Sequence, residues 1–125
     1  IAASKKYFPF SGKVPPEKFF DTAQYNTWME FDYNQNQKDI LEYAHSIIEN
    51  GYTSGILMID EGWQKHYGIW DFDRAKFPDP KGMIDELHAL GFKVMLWVVP
   101  LVNCAGREFF LATLNTSIPT RATRG

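Results

Sequence analysis

The pattern of apolar positions follows the same cycle more than once: a short run of strand-favouring residues, then a 3.6-residue spacing, then a glycine. The run QYNTWMEF at 24–31 is rich in aromatic and β-favouring residues and is closed by the polar cluster DYNQNQ, which predicts a first strand. Asn36 then stands as an N-cap with Asp39 three residues on. Ile40, Leu41, Ala44, Ile47 and Ile48 share one apolar face, so a helix is expected to run up to Gly51 at C′. The continuous apolar run GILMID at 55–60 reads as a strand buried on both faces of a parallel sheet, and it stops abruptly at Asp60 and Glu61. In FPDP at 77–80, Asp79 is placed to cap a helix whose first position is Pro80. Met83, Ile84, Leu87 and Leu90 line its inner face and Gly91 closes it, after which FKVMLWVV at 92–99 predicts a third buried strand ending at Pro100.

Strand starts near 25, 55 and 92 give units of strand, helix and glycine turn, which is the βαβ rhythm with right-handed parallel crossovers. No GxGxxG or P-loop follows a strand, which disfavours a nucleotide-binding open sheet. The expected fold class is α/β, a partial (β/α)8 TIM-type barrel of about the first three β/α units, because a complete barrel takes about 250 residues. Residues 1–22, with Pro9, Gly12, Pro15 and Pro16, read as a lead-in loop, residues 23–110 as the partial barrel, and residues 111–125 as an irregular tail without a period.

Composition narrows the partners. With 45% hydrophobic and 22% charged residues the chain should fold, and a net charge of −2 without a dense Lys/Arg stretch gives no footprint for nucleic acid or an anionic membrane surface. No apolar run approaches the ~18 residues of a membrane span, so no membrane segment is expected. The chain opens at Ile1 with neither an initiator Met nor a signal-peptide pattern and reads as cut or processed, which leaves a secreted, periplasmic or lysosomal parent open. Cys104 is the single cysteine, so an internal disulfide and a Cys-rich metal site are excluded; His45, His66 and His88 lack metal-ligand spacing. The serines lack a GxSxG context, and no His lies near Cys104 in sequence. Neither metal nor cofactor is expected.

Aromatic residues make up 16% of the chain, four of them Trp, and where they stand decides what they do. In a β/α barrel the ligand site lies at the carboxyl ends of the strands. Asn26, Trp28 and Glu30 fall at the end of the first expected strand, Asp60, Glu61 and Trp63 at the second, and Trp97 and Asn103 at the third. Carboxylates accept hydrogen bonds from sugar hydroxyls, and indole rings pack on the C–H face of a pyranose, so this set suits a carbohydrate partner. Neighbouring strand residues point to opposite faces, so at most one of Asp60 and Glu61 enters a barrel mouth, and Asp60 is the choice. The alternative, in which one caps a turn and the other is solvated, stays open. Trp97 fits both the mouth and the wall between strand and helix.

The runs IDEGW at 59–63, WDFDRAKFPDPKGM at 70–83 and GFKVMLWVVP at 91–100 resemble glycoside hydrolase family 31, the retaining α-glucosidases and α-xylosidases. QYNTWMEF followed by Asn36 and Gln37 resembles the first barrel strand of one subgroup, and the likeness covers roughly 15 to 110. The resemblance implies a fragment of a retaining α-glycosidase that hydrolyses α-linked glucosides or related sugars and contributes part of the −1 subsite. Asp60 would bind sugar hydroxyls there, Trp97 would form a wall, and Trp63, Trp28 and Glu61 would be further substrate-binding positions. It also implies that no catalytic residue is present, since the family's nucleophile sits on strand four and its acid/base on strand six, both expected beyond Gly125. A related α-galactosidase barrel, whose second strand ends in a DDGW-type motif, is the alternative to which Asp60 to Trp63 also bear likeness. A noncatalytic sugar-binding or structural fragment is the other. The tail after Phe110 departs from the family pattern, where a helix and a Lys-Gly turn are expected.

Overall fold

The computed structural model describes residues 6–9 and 11–99. Three strands, β1 (Gln24–Asn26), β2 (Ile56–Ile59) and β3 (Lys93–Leu96), form one parallel sheet in the order β1-β2-β3, as the repeating pattern predicts. Four α-helices are described: α1 (Lys18–Asp21), α2 (Trp28–Phe31), α3 (Gln37–Glu49) and α4 (Pro80–Ala89), with a 3-10 turn at Asp32–Asn34. The expectations for Asn103, Cys104 and the tail at 111–125 lie outside the described residues.

The sheet register sorts side chains into two faces. Tyr25 pairs with Leu57 and Leu57 with Val94, while Asn26 pairs with Met58 and Met58 with Met95. Residues paired across a parallel ladder share a face and successive residues alternate, so Tyr25, Leu57, Ile59 and Val94 lie on one side and Asn26, Ile56, Met58 and Met95 on the other. The first side is the core: Leu57 and Ile59, fully buried, meet Ile40, Ala44 and Ile47 of α3, Met83 and Leu87 of α4, and Phe92. Both long helices therefore cover one face of the sheet. Burying a side chain such as Leu57 contributes about 1.5–3 kcal/mol, and this shared cluster is what fixes the helices over the strands.

The helix ends follow the sequence closely. Asn36 accepts from the Asp39 N–H at 3.1 Å, and Asp79 accepts from the Gly82 N–H at 3.0 Å with Pro80 opening the helix. Gly51 and Gly91 follow α3 and α4 with φ of +82° and +92°, the left-handed conformation that only glycine takes without strain.

Strand one departs from expectation. It ends at Asn26, because the Asn26 side-chain carbonyl accepts from the Trp28 N–H at 2.7 Å and Thr27 turns into the helical region. An Asn that captures a backbone N–H two residues on turns the chain, whatever strand propensity the following aromatics carry. Residues 28–31 accordingly form the short helix α2, and Trp28 and Glu30 are not strand-end residues. β2 and β3 are also shorter than the apolar runs that predict them. Phe92 is buried from the turn before β3, and beyond β3 the Trp97 N–H still donates to the Ile59 carbonyl at 2.9 Å, so apolar character outlasts formal strand at both ends. Within the expected lead-in loop, 18–21 forms the helical turn α1.

Candidate functional site

β1 and β2 end side by side, and their last polar side chains meet. The Asn26 amide donates to one Asp60 carboxylate oxygen at 2.7 Å, and the Glu61 N–H donates to the other at 2.7 Å. Asn26 is held for this role because its own carbonyl oxygen is engaged by the Trp28 N–H, which leaves the amide NH2 to face Asp60. Asp60 is buried to 9% exposure. An ionised carboxylate has about four acceptor sites, and two are used, so the group is oriented and retains capacity to accept. Asp60 caps the turn after β2 and stands on the sheet face of Asn26, Met58 and Met95.

Beneath this pair is a buried polar cluster that periodicity did not flag. The Thr27 hydroxyl donates to the Gln35 side-chain oxygen at 2.7 Å and accepts from the Asp60 N–H at 3.0 Å. The Gln35 amide donates to the Asp60 carbonyl at 2.7 Å and to the Glu61 carbonyl at 2.6 Å. Thr27 and Gln35 are both fully buried, and together they tie the turn after β1 to the end of β2. The only trace in the sequence is two polar residues bracketing an aromatic run.

Glu61 leaves the Asp60 side and accepts from the Tyr33 hydroxyl at 3.3 Å. That carboxylate, first by its charge, pushes the Tyr33 pKa above its ordinary value. Trp28, half-buried, meets Tyr33 edge to face with ring centroids 4.9 Å apart, so it stands at the rim beside Glu61. The Lys76 ammonium donates to the Tyr33 carbonyl at 2.7 Å and braces the same loop.

Trp63 and Trp97 differ from each other. Trp63 is buried to 3% exposure, packs on Phe72 with centroids 4.9 Å apart, and donates its indole N–H to the Trp97 carbonyl at 2.7 Å. Its ring belongs to the core cluster and offers no open face; its action on a site is to fix the backbone of Trp97. Trp97 is half-buried and follows Met95 by two residues, so alternation places it on the Asp60 side of the sheet, with Tyr67 6.0 Å away. The structure thus brings Asn26, Asp60 and Trp97 to one end of the sheet, with Glu61 and Trp28 at its rim and Trp63 behind. Asn26 is the partner whose importance strand-end reasoning understated. Among the described residues, no cluster of three or more His, Cys, Asp or Glu could hold a metal ion, and no helix is long and apolar enough to cross a membrane.

Residues 13–119 match the family model described as the glycosyl hydrolases family 31 TIM-barrel domain. The myogenesis-regulating glycosidase of Mus musculus is 32% identical over 105 residues, which is 84% of this chain and 15% of that protein. Among solved structures, the family 31 dextranase of Flavobacterium johnsoniae complexed with glucose superposes with a TM-score of 0.66 over 83% of this chain and 12% of that one. At 21% identity that likeness is one of fold. The GH36 α-galactosidase AgaA of Geobacillus stearothermophilus is 25% identical, with a TM-score of 0.56 over 63% of this chain and 12% of that one. The chain therefore spans a small part of the length of each protein it resembles, and its three parallel strands with their covering helices are a partial α/β barrel.

Proposed function

The chain belongs to glycosyl hydrolases family 31 through its TIM-barrel domain, and from that premise we propose that it supplies one wall of the −1 sugar subsite of a retaining α-glycosidase acting on α-linked glucosides or related sugars. The observation that carries the reading is the Asn26–Asp60 hydrogen bond of 2.7 Å across the carboxyl ends of two adjacent parallel strands, where a β/α barrel binds its ligand. A carboxylate fixed at both oxygens, yet with acceptor capacity left, is built to receive sugar hydroxyls. Trp97 adds an apolar face beside it, Trp28 and Glu61 form the rim, and Trp63 holds the Trp97 backbone.

Bond cleavage with retention needs two carboxyl groups roughly 5 Å apart, one to attack the anomeric carbon and one to protonate the leaving oxygen. Asp60 and Glu61 do not serve as that pair: they are adjacent in sequence, and Asp60 accepts from the very N–H of Glu61. The chain's part is to hold the ring, and the two catalytic carboxylates are assigned to strands four and six of the barrel.

The test is a titration of the 15N-labelled chain with methyl α-glucoside, methyl α-xyloside and methyl α-galactoside. At least one is expected to move the Asn26 side-chain and Trp97 indole signals with a Kd of the order of millimolar. The sugar that does so names the substrate class. Absence of any response at these groups with all three glycosides would remove the basis for the subsite.

A further inference from the structure

Asp60 is held at its main chain as well as at its side chain. Thr27 and Gln35 bracket the short excursion formed by α2 and the 3-10 turn, and both are fully buried. They close a ring of hydrogen bonds with Asp60. The Thr27 hydroxyl donates to the Gln35 side-chain oxygen at 2.7 Å, the Gln35 amide donates to the Asp60 carbonyl at 2.7 Å, and the Asp60 N–H donates back to the Thr27 hydroxyl at 3.0 Å. The peptide groups on both sides of the Asp60 Cα are thereby fixed by two side chains that are themselves fixed on each other. The clamp continues along the turn. The Glu61 carbonyl accepts from the same Gln35 amide at 2.6 Å and the Gly62 carbonyl accepts from the Lys76 ammonium at 3.4 Å, so three successive carbonyls are taken by side chains. Turning them this way requires Gly62 at a φ of +99°. Within the ring the Thr27 hydroxyl is used as donor and acceptor, and the Gln35 amide is used at both its oxygen and its nitrogen. A buried polar network in which every member is satisfied specifies one geometry, and the loss of one member leaves a buried peptide group without a partner.

The group that needs one geometry is the carboxylate. Each Asp60 oxygen meets one protein donor at 2.7 Å, the Asn26 amide on one side and the Glu61 N–H on the other, so a rotation of the Asp60 main chain disturbs both contacts. A binding group already held in its bound orientation loses little freedom when the ligand arrives, and the saving appears as affinity. We propose that Thr27 and Gln35 are positioning residues for the sugar site: buried beneath it, they touch no ring and fix the Asp60 carboxylate in the orientation in which it accepts sugar hydroxyls. This inference rests on the sugar-site reading of Asp60 and assigns to two buried residues the orientation which that reading requires.

The experiment uses variants of the 15N-labelled full chain. Thr27→Val keeps the shape and removes the hydroxyl, Gln35→Met keeps the length and removes the amide, and Thr27→Ser keeps the hydroxyl and removes a methyl. Ile47→Val, in the core against the other face of the sheet, is the control for lost stability alone. Methyl α-glucoside, methyl α-xyloside and methyl α-galactoside are titrated at a temperature where the variants are folded, with thermal unfolding followed on the same samples. Thr27→Val and Gln35→Met are expected to weaken the glycoside that binds by about fivefold. They should also move the Asn26 side-chain amide signal before any sugar is added, because the oxygen it meets has turned. Thr27→Ser and Ile47→Val should lower the melting temperature and leave both the affinity and that signal as in the unsubstituted chain. If Thr27→Val does not fold, Gln35→Met against Thr27→Ser carries the comparison. Unchanged affinity in Thr27→Val and Gln35→Met, or a loss of the same size in Thr27→Ser or Ile47→Val, overturns the positioning role and leaves the sugar-site reading of Asp60 standing. No response of the unsubstituted chain to any of the three glycosides overturns that reading, and the positioning role with it.

Discussion

Asp60 is a structural residue at the place where the sugar subsite is proposed. Its carboxylate accepts from Asn26 and from the Glu61 N–H, and the turn after β2 depends on both. Asn26 cannot flip to suit a different partner, since its carbonyl oxygen holds the Trp28 N–H. Asp60→Asn therefore puts one amide NH2 against another or gives up the turn. The expected loss is about 1–3 kcal/mol, read as a lower urea midpoint at neutral pH. Tyr33 gives a second check at this scale. Its pKa is raised above 10.0, chiefly by the Glu61 charge, so the folded state favours the neutral hydroxyl. The stability tied to that hydroxyl is whole below the unfolded pKa and is lost as pH rises through the raised folded value. Glu61→Gln should return Tyr33 toward its ordinary pKa, followed by the 13C shift of its ring. An unchanged titration would mean that the carboxylate does not act on it. The positions of Asp60 and Trp97 on one face of the sheet were legible in the sequence because alternation can be counted along the apolar runs that hold them. Thr27 and Gln35 were not, since a polar residue in a loop reads as solvated until the fold closes over it.

At the scale of elements, α3 and α4 were legible to the cap, while the end of strand one and the short helices α1 and α2 were not. Asn36 and Asp79 carry their signals locally, in the residue three positions on or in the proline that follows, and both caps form. The end of strand one was placed too late because periodicity and propensity do not register that the Asn26 side chain competes with the ladder for a backbone N–H. Two glycines test the packing of these elements. A Cβ at Gly55 would sit 2.0 Å from the Ala23 carbonyl oxygen, which is the acceptor for the Ile56 N–H at 2.9 Å. Gly55→Ala must push β1 from β2, and a loss of about 1–3 kcal/mol in thermal unfolding is expected from the overpacking. Gly82 lies in α4, where alanine would ordinarily gain about 1 kcal/mol. Here its Cβ would meet the Asp79 carboxylate at 2.2 Å and displace the cap, so Gly82→Ala alone should give no gain. In an Asp79→Ala background the same change should stabilise, and this non-additivity marks the clash. Additive effects would show that the cap moves aside freely.

For the whole molecule, the two faces of the sheet divide the work. Leu57 and Ile59 bind the sheet to α3 and α4, while Met58 and Met95 line the opposite face, where Met95 is 44% exposed. In a barrel that second face is the interior, and its upper row is where Asn26, Asp60 and Trp97 stand. On the proposed reading the chain carries ring-holding groups without the pair of carboxylates that cleaves. The purified chain should therefore release no aryl leaving group from aryl α-glucosides or α-galactosides above a buffer blank, and turnover would overturn that division. The barrel class was legible in the repeated strand, helix and glycine pattern. The split of roles among the tryptophans was not, because sequence places Trp63 and Trp97 alike at strand ends and only packing turns one inward.

The claim at the centre is that Asp60 receives sugar hydroxyls and is more than a turn cap. The direct measurement is Asp60→Ala in a family 31 barrel carrying this segment, with kinetics and thermal unfolding taken on the same samples. Hydrogen bonds to a charged group contribute about 1.5–3 kcal/mol each, so kcat/KM should fall by about tenfold or more at a temperature where the variant remains folded. Near-normal turnover, or a loss that follows the drop in melting temperature alone, would contradict it and leave Asp60 a structural residue.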